Sequence, residues 1–386
     1  MSFLITVIVF VTIISIIGGA NFYVAKRIYK CVNFFLPNLR FFICLIFFVA
    51  MTLIMIMGFA NSFLPIGKKA AHILDVISSY WMGFFMYLLI FIILSDAAML
   101  VIRLVKSSKW KYMPALRMIT VLTAVIFTIV TVTYGLIHAG NIKHVSYNIE
   151  LSDKKMSEEI NLVLITDLHL GSARSEARLN GIVNEINSLQ PDVVCIAGDF
   201  FNTDFNSIQN VEETAQILKT ISAKYGVYAC LGNHDGGKTL DKMLDFLEQC
   251  KIKALNDEYV TVDNLFTLVG RLDASAIGGY NNMTRKSLSD VLEGTDKTLP
   301  IIVMDHNPAC ISEYSGEVDL VLSGHTHKGQ VFPGSLITNA MYIVDYGHYV
   351  EENGTQIIVS SGIGTWGPPM RVGSNSEIVS VYFSLK

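Results

Sequence analysis

The sequence predicts a two-part chain: an N-terminal all-α transmembrane bundle of four helices, followed by a C-terminal α/β domain. Three observations carry this prediction. The 386 residues are 52% hydrophobic and only 16% charged, with a mean hydropathy of +0.46, whereas an ordinary soluble protein carries about 25% charged residues. The charge is also divided unevenly. Residues 1–140 hold eleven Lys/Arg and two acids, a net of +9, and residues 141–386 net −13. Near residue 143 long apolar runs give way to short ones that alternate with amphipathic stretches. These features exclude a single soluble domain, a disordered chain and a disulfide-rich miniprotein. The acidic C-terminal half argues against nucleic acid as a partner.

Four apolar stretches, residues 3–24, 41–63, 77–102 and 119–139, reach the length of about 20 residues that a helix needs to cross a bilayer. The first is no cleavable signal peptide, because it lacks a basic leader, its apolar core is too long, and three more spans follow. A transmembrane domain over 1–142 and a second domain over 143–386 are therefore expected. The first connection carries Lys26, Arg27, Lys30 and Arg40, and the third Arg103, Lys106, Lys109, Lys111 and Arg117. The second has only Lys68 and Lys69, with Asp75. This bias puts connections one and three in the cytoplasm, and both termini with the C-terminal domain on the extracytoplasmic side. Asp96 is the one acid well inside a span, seven residues before Arg103. It reads as a carboxylate neutralised or hydrated near the interface rather than as an ion site. Few polar residues line the spans, which argues against a transporter.

In the second half, apolar runs at 162–166, 193–197, 227–231, 301–304, 320–323 and 357–360 read as buried strands. Between the first two, Leu179, Ile182, Val183, Ile186 and Leu189 repeat at helical spacing, as Leu240, Met243, Leu244 and Leu247 do after the third. Strands alternating with helices give an α/β sheet, and roughly 240 residues suffice for one large core. Five of the strands deliver Asp, Asn or His at the carboxyl end, where α/β sheets place their sites. The segments are Asp167-Leu168-His169, Gly198-Asp199, Gly232-Asn233-His234-Asp235, Asp305-His306 and Gly324-His325-Thr326-His327. Asp167 and His169 are two apart, as are His325 and His327, so an extended backbone turns each pair to one side. Glycines before Asp199, Asn233 and His325 permit sharp turns and close backbone approach. One such segment is weak testimony; five in order point to a metal site.

This ordered set resembles the calcineurin-like metallophosphoesterase superfamily over residues 145–386. The segments Ile165-Thr166-Asp167-Leu168-His169-Leu170-Gly171, Gly324-His325-Thr326-His327-Lys328-Gly329-Gln330 and Gly362-Ile363-Gly364-Thr365 with Pro369-Met370-Arg371 narrow the likeness. They resemble a bacterial branch with N-terminal membrane segments, which includes an envelope phosphodiesterase group and UDP-2,3-diacylglucosamine pyrophosphatase-like enzymes. The resemblance implies a four-layer α/β/β/α sandwich and two divalent metal ions. Asp167, His169, Asp199 and His327 would hold the first metal; Asn233, His306, His325 and the shared carboxylate of Asp199 would hold the second. An all-N/O ligand set suits Mn, Fe or Zn. A hydroxide between two cations about 3.5–4 Å apart would attack phosphorus in line. His234 would stabilise the transition state or protonate the leaving oxygen, with Asp235 orienting a neighbouring imidazole. Arg371 would either reach a substrate phosphate or stand as an ordinary surface arginine. Asp305 departs from the family, which more usually has a small residue there; it either tunes a ligand histidine or faces solvent.

The expected function is thus a membrane-anchored, dinuclear-metal phosphoesterase that hydrolyses phosphodiester or pyrophosphate bonds. Its partners are the lipid bilayer and a phosphorylated small-molecule or lipid-linked substrate, because a linker of about 20 residues keeps the site within a few tens of ångströms of the membrane. The alternatives are a phosphoesterase of soluble nucleotides and a non-catalytic metal-binding membrane sensor. Cys195 and Cys230 read as core residues and no disulfide is expected. Asn282-Met283-Thr284 and Asn353-Gly354-Thr355 fit a glycosylation pattern that has meaning only in a eukaryotic secretory route.

Overall fold

The four apolar stretches are helices in the computed structural model, which describes residues 3–60, 66–105, 113–151, 154–155, 158–314 and 316–385. They are α1 (Phe3–Phe35), α2 (Phe41–Phe59), α3 (Lys68–Val105) and α4 (Met113–His138), each long and apolar enough to cross a membrane. Two outrun the sequence estimate. α1 continues past residue 24 because Lys26, Arg27 and Lys30 are good helix formers, and it stops short of Pro37. α3 starts at Lys68 rather than at 77. The end of the second predicted span, 61–63, and the cations Lys106, Lys109 and Lys111 lie outside the described residues.

The chain divides into two compact units, Met1–Gly135 and Leu136–Lys386. In the first, Val24, Ala25, Phe48, Trp81, Leu88, Ile92 and Ala124 pack into one apolar seam. Asp96 is neutralised, but not by Arg103 of its own helix. Arg27 Nη2 lies 2.5 Å from Asp96 Oδ2, and Tyr23 Oη donates to the same oxygen at 2.6 Å. The partner comes from α1 because a helix packed alongside brings a cation nearer than two turns along the same helix.

The second unit is built from strands β1 (Ile142–Leu151), β2 (Ile160–Ile165), β3 (Val193–Ala197), β4 (Val227–Cys230), β5 (Ile252–Ala254) and β6 (Glu258–Val262). They are followed by β7 (Phe266–Gly270), β8 (Ile301–Met304), β9 (Leu320–Ser323), β10 (Gly347–Val350), β11 (Gln356–Val359) and β12 (Ser376–Leu385). The helices are α5 (Ser175–Ser188), α6 (Val211–Leu218), α7 (Leu240–Gln249), α8 (Leu288–Val291) and α9 (Gly334–Met341). Among the described residues the strands form two six-stranded mixed sheets, β1-β12-β2-β3-β4-β5 and β10-β11-β9-β8-β7-β6. Alternation along each strand sorts the side chains into layers. Leu162, Leu164, Val193 and Cys195 meet Leu268, Ile302, Met304 and Leu322 between the sheets. Val163, Ile165, Val194 and Ile196 face α5 and α7 through Leu179, Ile182, Val183, Met243 and Phe246. Val303, Val321 and Ile357 pack outward against Val291, Leu292, Ile311 and Tyr314. The result is the α/β/β/α sandwich, in which each buried aliphatic side chain contributes about 1.5–3 kcal/mol before chain entropy is set against it.

Asp305, just beyond β8, neither tunes a histidine nor faces solvent. It is buried, accepts from Tyr314 Oη at 2.6 Å and pairs with Arg285 Nη2 at 2.8 Å. Successive residues leaving a strand point to opposite faces, so the neighbour of His306 is turned into the second sheet's outer layer. Arg285→Met should therefore leave a buried carboxylate uncompensated and destabilise this unit by about 3–5 kcal/mol. Glu313→Gln, which removes the exposed partner of the same guanidinium, should cost less than about 1 kcal/mol. Denaturant unfolding of both variants checks the contrast.

Candidate metal centre

Strands β2, β3, β4, β8 and β9 end within a few residues of one another's loops, and their carboxyl-end side chains converge. Asp167 Oδ1 lies 3.3 Å from His327 Nε2 and 3.9 Å from His169 Nε2, and the two imidazole nitrogens are 3.2 Å apart. In a second group Asp199 Oδ2 is 3.1 Å from His306 Nε2, which is 3.3 Å from His325 Nδ1. Asn233 Oδ1 lies 2.8 Å from His325 Nδ1. The groups are contiguous, since Asp199 Oδ2 is also 3.7 Å from His169 Nε2 and Asp167 Oδ1 is 3.9 Å from His306 Nε2. Asp167–His169–His327 and Asp199–His306–His325 each form a candidate metal-binding cluster.

An extended backbone does not make this convergence. Asp167 (φ 56°), His169 (φ 49°), Asp199 (φ 51°), His325 (φ 70°) and His327 (φ 49°) are all left-handed. Asp and His tolerate that region better than most residues, and strain of this kind collects at functional sites. β2 ends at Ile165 and β9 at Ser323, so neither pair stands on extended backbone. Asp167 and His169 still meet in one cluster, but the pointing expected of residues two apart fails for the second pair. Consequently His325 and His327 enter different clusters. Two glycines make room. Gly198 has φ 78°, and a Cβ there would stand 2.6 Å from the His306 ring; a Cβ on Gly324 would stand 2.5 Å from Asp167 Oδ2.

Burial governs the charge states. It holds the imidazoles neutral, pushing His169 down to about 3, His325 to about 4 and His327 well below its ordinary value. Burial likewise raises Asp167 to about 6. Burial opposes charge on His306 as well, but Asp199 beside it prevails and its pKa rises well above the usual imidazole value. Its Nδ1 donates to Ala197 O at 2.8 Å, which aims Nε2 at the carboxylates. The donor set fits divalent cations. Neutral nitrogens and carboxylate oxygens crowd together in a dry place, and His169 Nδ1 is buried with no hydrogen-bond partner.

Three residues around the clusters have roles of their own. His234 lies beside them, its ring centroid 5.1 Å from that of His169, and Thr203 Oγ1 sits 2.6 Å from its Nδ1. Burial lowers its pKa too. Asp235 orients no imidazole, contrary to expectation. Its carboxylate accepts from the backbone N–H groups of Phe200, Phe201 and Gly232 at 3.2, 2.8 and 2.8 Å, which ties the Asp199 loop to the Asn233 loop. Arg371 is wholly buried instead of facing a substrate. It donates to the carbonyls of Ser361, Gly362 and Gly364 at 2.8, 3.0 and 2.7 Å. That loop in turn donates from Gly364 N to Asp167 O at 2.9 Å.

A family profile described as Calcineurin-like phosphoesterase matches residues 160–329. A protein of Aquifex aeolicus described as an uncharacterized metallophosphoesterase is 33% identical over 61% of this chain and 89% of its own. The chain belongs to the calcineurin-like metallophosphoesterases. A metallophosphoesterase of Helicobacter pylori is 32% identical over 58% of this chain, which spans about 60% of that relative's length. A "Transmembrane protein with metallophosphoesterase domain" of Danio rerio is 31% identical over 67% of this chain and 61% of its own. Metallophosphoesterases typically use a dinuclear metal centre, and the two clusters stand where such a centre would be held.

Thr203 and Trp366 escaped the sequence reading. Both meet His234 only through the fold, Trp366 with its ring 6.1 Å away, and neither lies in a metal-ligand pattern. The geometry predicts that Asp199→Asn and His325→Ala each lower divalent-metal retention at least about tenfold, measured as metal content after dialysis. Protons compete for the same nitrogens, and His306 binds its proton more tightly than a free imidazole does. Metal uptake by the stripped protein should therefore weaken as pH falls from 7.5 towards 5.5, which titration at the two pH values checks.

Proposed function

We propose that this metallophosphoesterase is a membrane-anchored enzyme that hydrolyses phosphodiester or pyrophosphate bonds of lipid-linked or envelope substrates, with its catalytic unit on the extracytoplasmic side. The observation that carries the lipid reading is the apolar rim of the metal centre. α9 and its flank expose Leu336 (64%), Ile337 (61%), Met341 (69%) and Ile343 (76%). This segment is fastened to the centre. Thr326 Oγ1 donates to Asp345 O at 2.6 Å, Thr338 Oγ1 to Asp345 Oδ2 at 2.9 Å, and the Tyr342 ring is 6.2 Å from His325. Water-soluble surfaces seldom carry such a contiguous apolar patch without a partner, and acyl chains or a bilayer surface suit it. The excess of Lys/Arg in connections one and three supports the orientation.

Asp167, His169 and His327 would hold one cation, and Asp199, His306 and His325, with Asn233, the other. Mn, Fe or Zn bound there would supply Lewis acidity and lower the pKa of water. The chain's own part is positioning and proton handling. Burial disfavours the charged form of His234, and in the tautomer in which Thr203 donates to Nδ1 the ring proton is on Nε2. That N–H serves as a hydrogen-bond donor to a phosphoryl oxygen and to the charge developing on the leaving oxygen.

The test uses the full chain purified in detergent, stripped by chelation and reloaded with Mn, Zn or Mg. A chromogenic phosphodiester should turn over only with metal, and His234→Ala should lower kcat by about 10²–10⁴ with metal content unchanged. A metal-loaded protein without turnover on diesters or lipid pyrophosphates would instead mean a sensor. Leu336→Ser/Ile337→Ser should raise KM for a lipid-linked pyrophosphate about tenfold and leave the soluble diester unaffected. Equal effects on both substrates would sink the lipid reading in favour of soluble nucleotides. Thiol labelling of Lys219→Cys in intact cells checks the orientation, which a cytoplasmic label would overturn.

A further inference from the structure

The helical unit holds a cavity of its own, of about 410 Å³, where α1 and α3 end and α4 begins. Four cations from three helices line it: Arg27 and Lys30 of α1, Arg103 of α3 and Arg117 of α4. One acid, Asp96, accompanies them, and it is already engaged by Arg27 and by the Tyr23 hydroxyl. The other acid of residues 1–140 is Asp75, near the opposite end of α3. Lys30, Arg103 and Arg117 therefore have no carboxylate partner among the described residues. Met99 and Val121 close the cavity with buried apolar walls.

Three unpaired cations at one recess beside hydrocarbon repel one another and hold a positive potential that the low-dielectric walls concentrate. An anion with several acceptor oxygens relieves both costs, and guanidinium groups match phosphate geometry with paired N–H donors. Basic recesses between membrane helices suit lipid phosphate headgroups on the same grounds. We infer that this cavity binds a phosphate-bearing anion, supplied either as the headgroup of an anionic phospholipid or as a free phosphate. The site is distinct from the metal centre and stands independently of the reaction proposed for it.

The full chain in detergent micelles is titrated with phosphatidylglycerol or phosphatidylcholine, and retained lipid is counted by native mass spectrometry. The wild-type chain should keep one phosphatidylglycerol in preference to phosphatidylcholine. Arg103→Gln/Arg117→Gln should weaken that retention about 25-fold, roughly fivefold for each charge removed. Arg103→Lys/Arg117→Lys keeps the charge and should lose far less, which separates binding from a folding defect. Lys68→Gln/Lys69→Gln, at the other end of α3, should leave retention unchanged. Competition with millimolar inorganic phosphate then distinguishes the sources: displacement of the lipid assigns the cavity to free phosphate, and persistence assigns it to the lipid headgroup. The inference is overturned if the Gln variant retains phosphatidylglycerol like wild type, if the Lys68/Lys69 control loses as much, or if phosphatidylcholine is held equally well.

Discussion

Two carboxylates taken out of water need positive charge beside them, and most of the catalytic unit follows from that need. Asp167 and Asp199 are buried to within 2% of their surface, and four imidazoles surround them. Three of those rings are kept neutral by burial, while His306, closest to Asp199, is driven toward the charged form. A cluster so composed is an electron-pair trap that cations satisfy and apolar packing does not. The neighbouring loops exist to hold it. Asp235 spends its oxygens on three backbone N–H groups, and Arg371 spends its donors on three carbonyls beneath Asp167.

The same need binds the two sheets together. Asp167, Asp199 and Asn233 follow strands of the first sheet, whereas His306, His325 and His327 follow strands of the second. Neither sheet carries a complete cluster, so sliding one past the other by even a fraction of a residue repeat would dismantle both. The core between them opposes such sliding. Leu162, Leu164, Met304 and Leu322 are fully buried there, and Phe266 meets Phe383 edge to face at 5.5 Å. Interiors packed this closely transmit displacement rather than absorb it, so a core substitution far from the metals is felt as a change in ligand geometry.

Strands whose ends carry the clusters were legible because they are short, wholly buried and rich in Val and Ile, as in 193–197 and 301–304. β1 and β12 were not, although they are the longest strands, because β1 is largely exposed or half-buried until Ile149 and Leu151 and carries no motif. Segment chemistry was likewise easier to read than side-chain direction. Asp305 and Asp235 stand beside site residues in sequence and Arg371 closes a Pro-Met-Arg motif, yet each turns to partners elsewhere along the chain or to backbone groups. Local spacing has no access to that choice. The membrane half showed the same limit: neutralisation of Asp96 follows from burial cost alone, but only helix packing brings Arg27 to it.

The place of β12 has a temporal consequence. It lies between β1 and β2, parallel to the former from Ile142↔Ser376 to Leu151↔Leu385 and antiparallel to the latter. β1 leaves the ribosome directly after the last membrane helix, but its partner in the sheet is made more than 200 residues later. At about 5–20 residues per second, roughly 10–50 s separate the two. Throughout that interval β1 presents an open hydrogen-bonding edge, the kind of surface that invites a stray strand or a chaperone. Until β12 is made, the first strand is not joined to the rest of the sheet, so closure of the sandwich waits for residues 376–385.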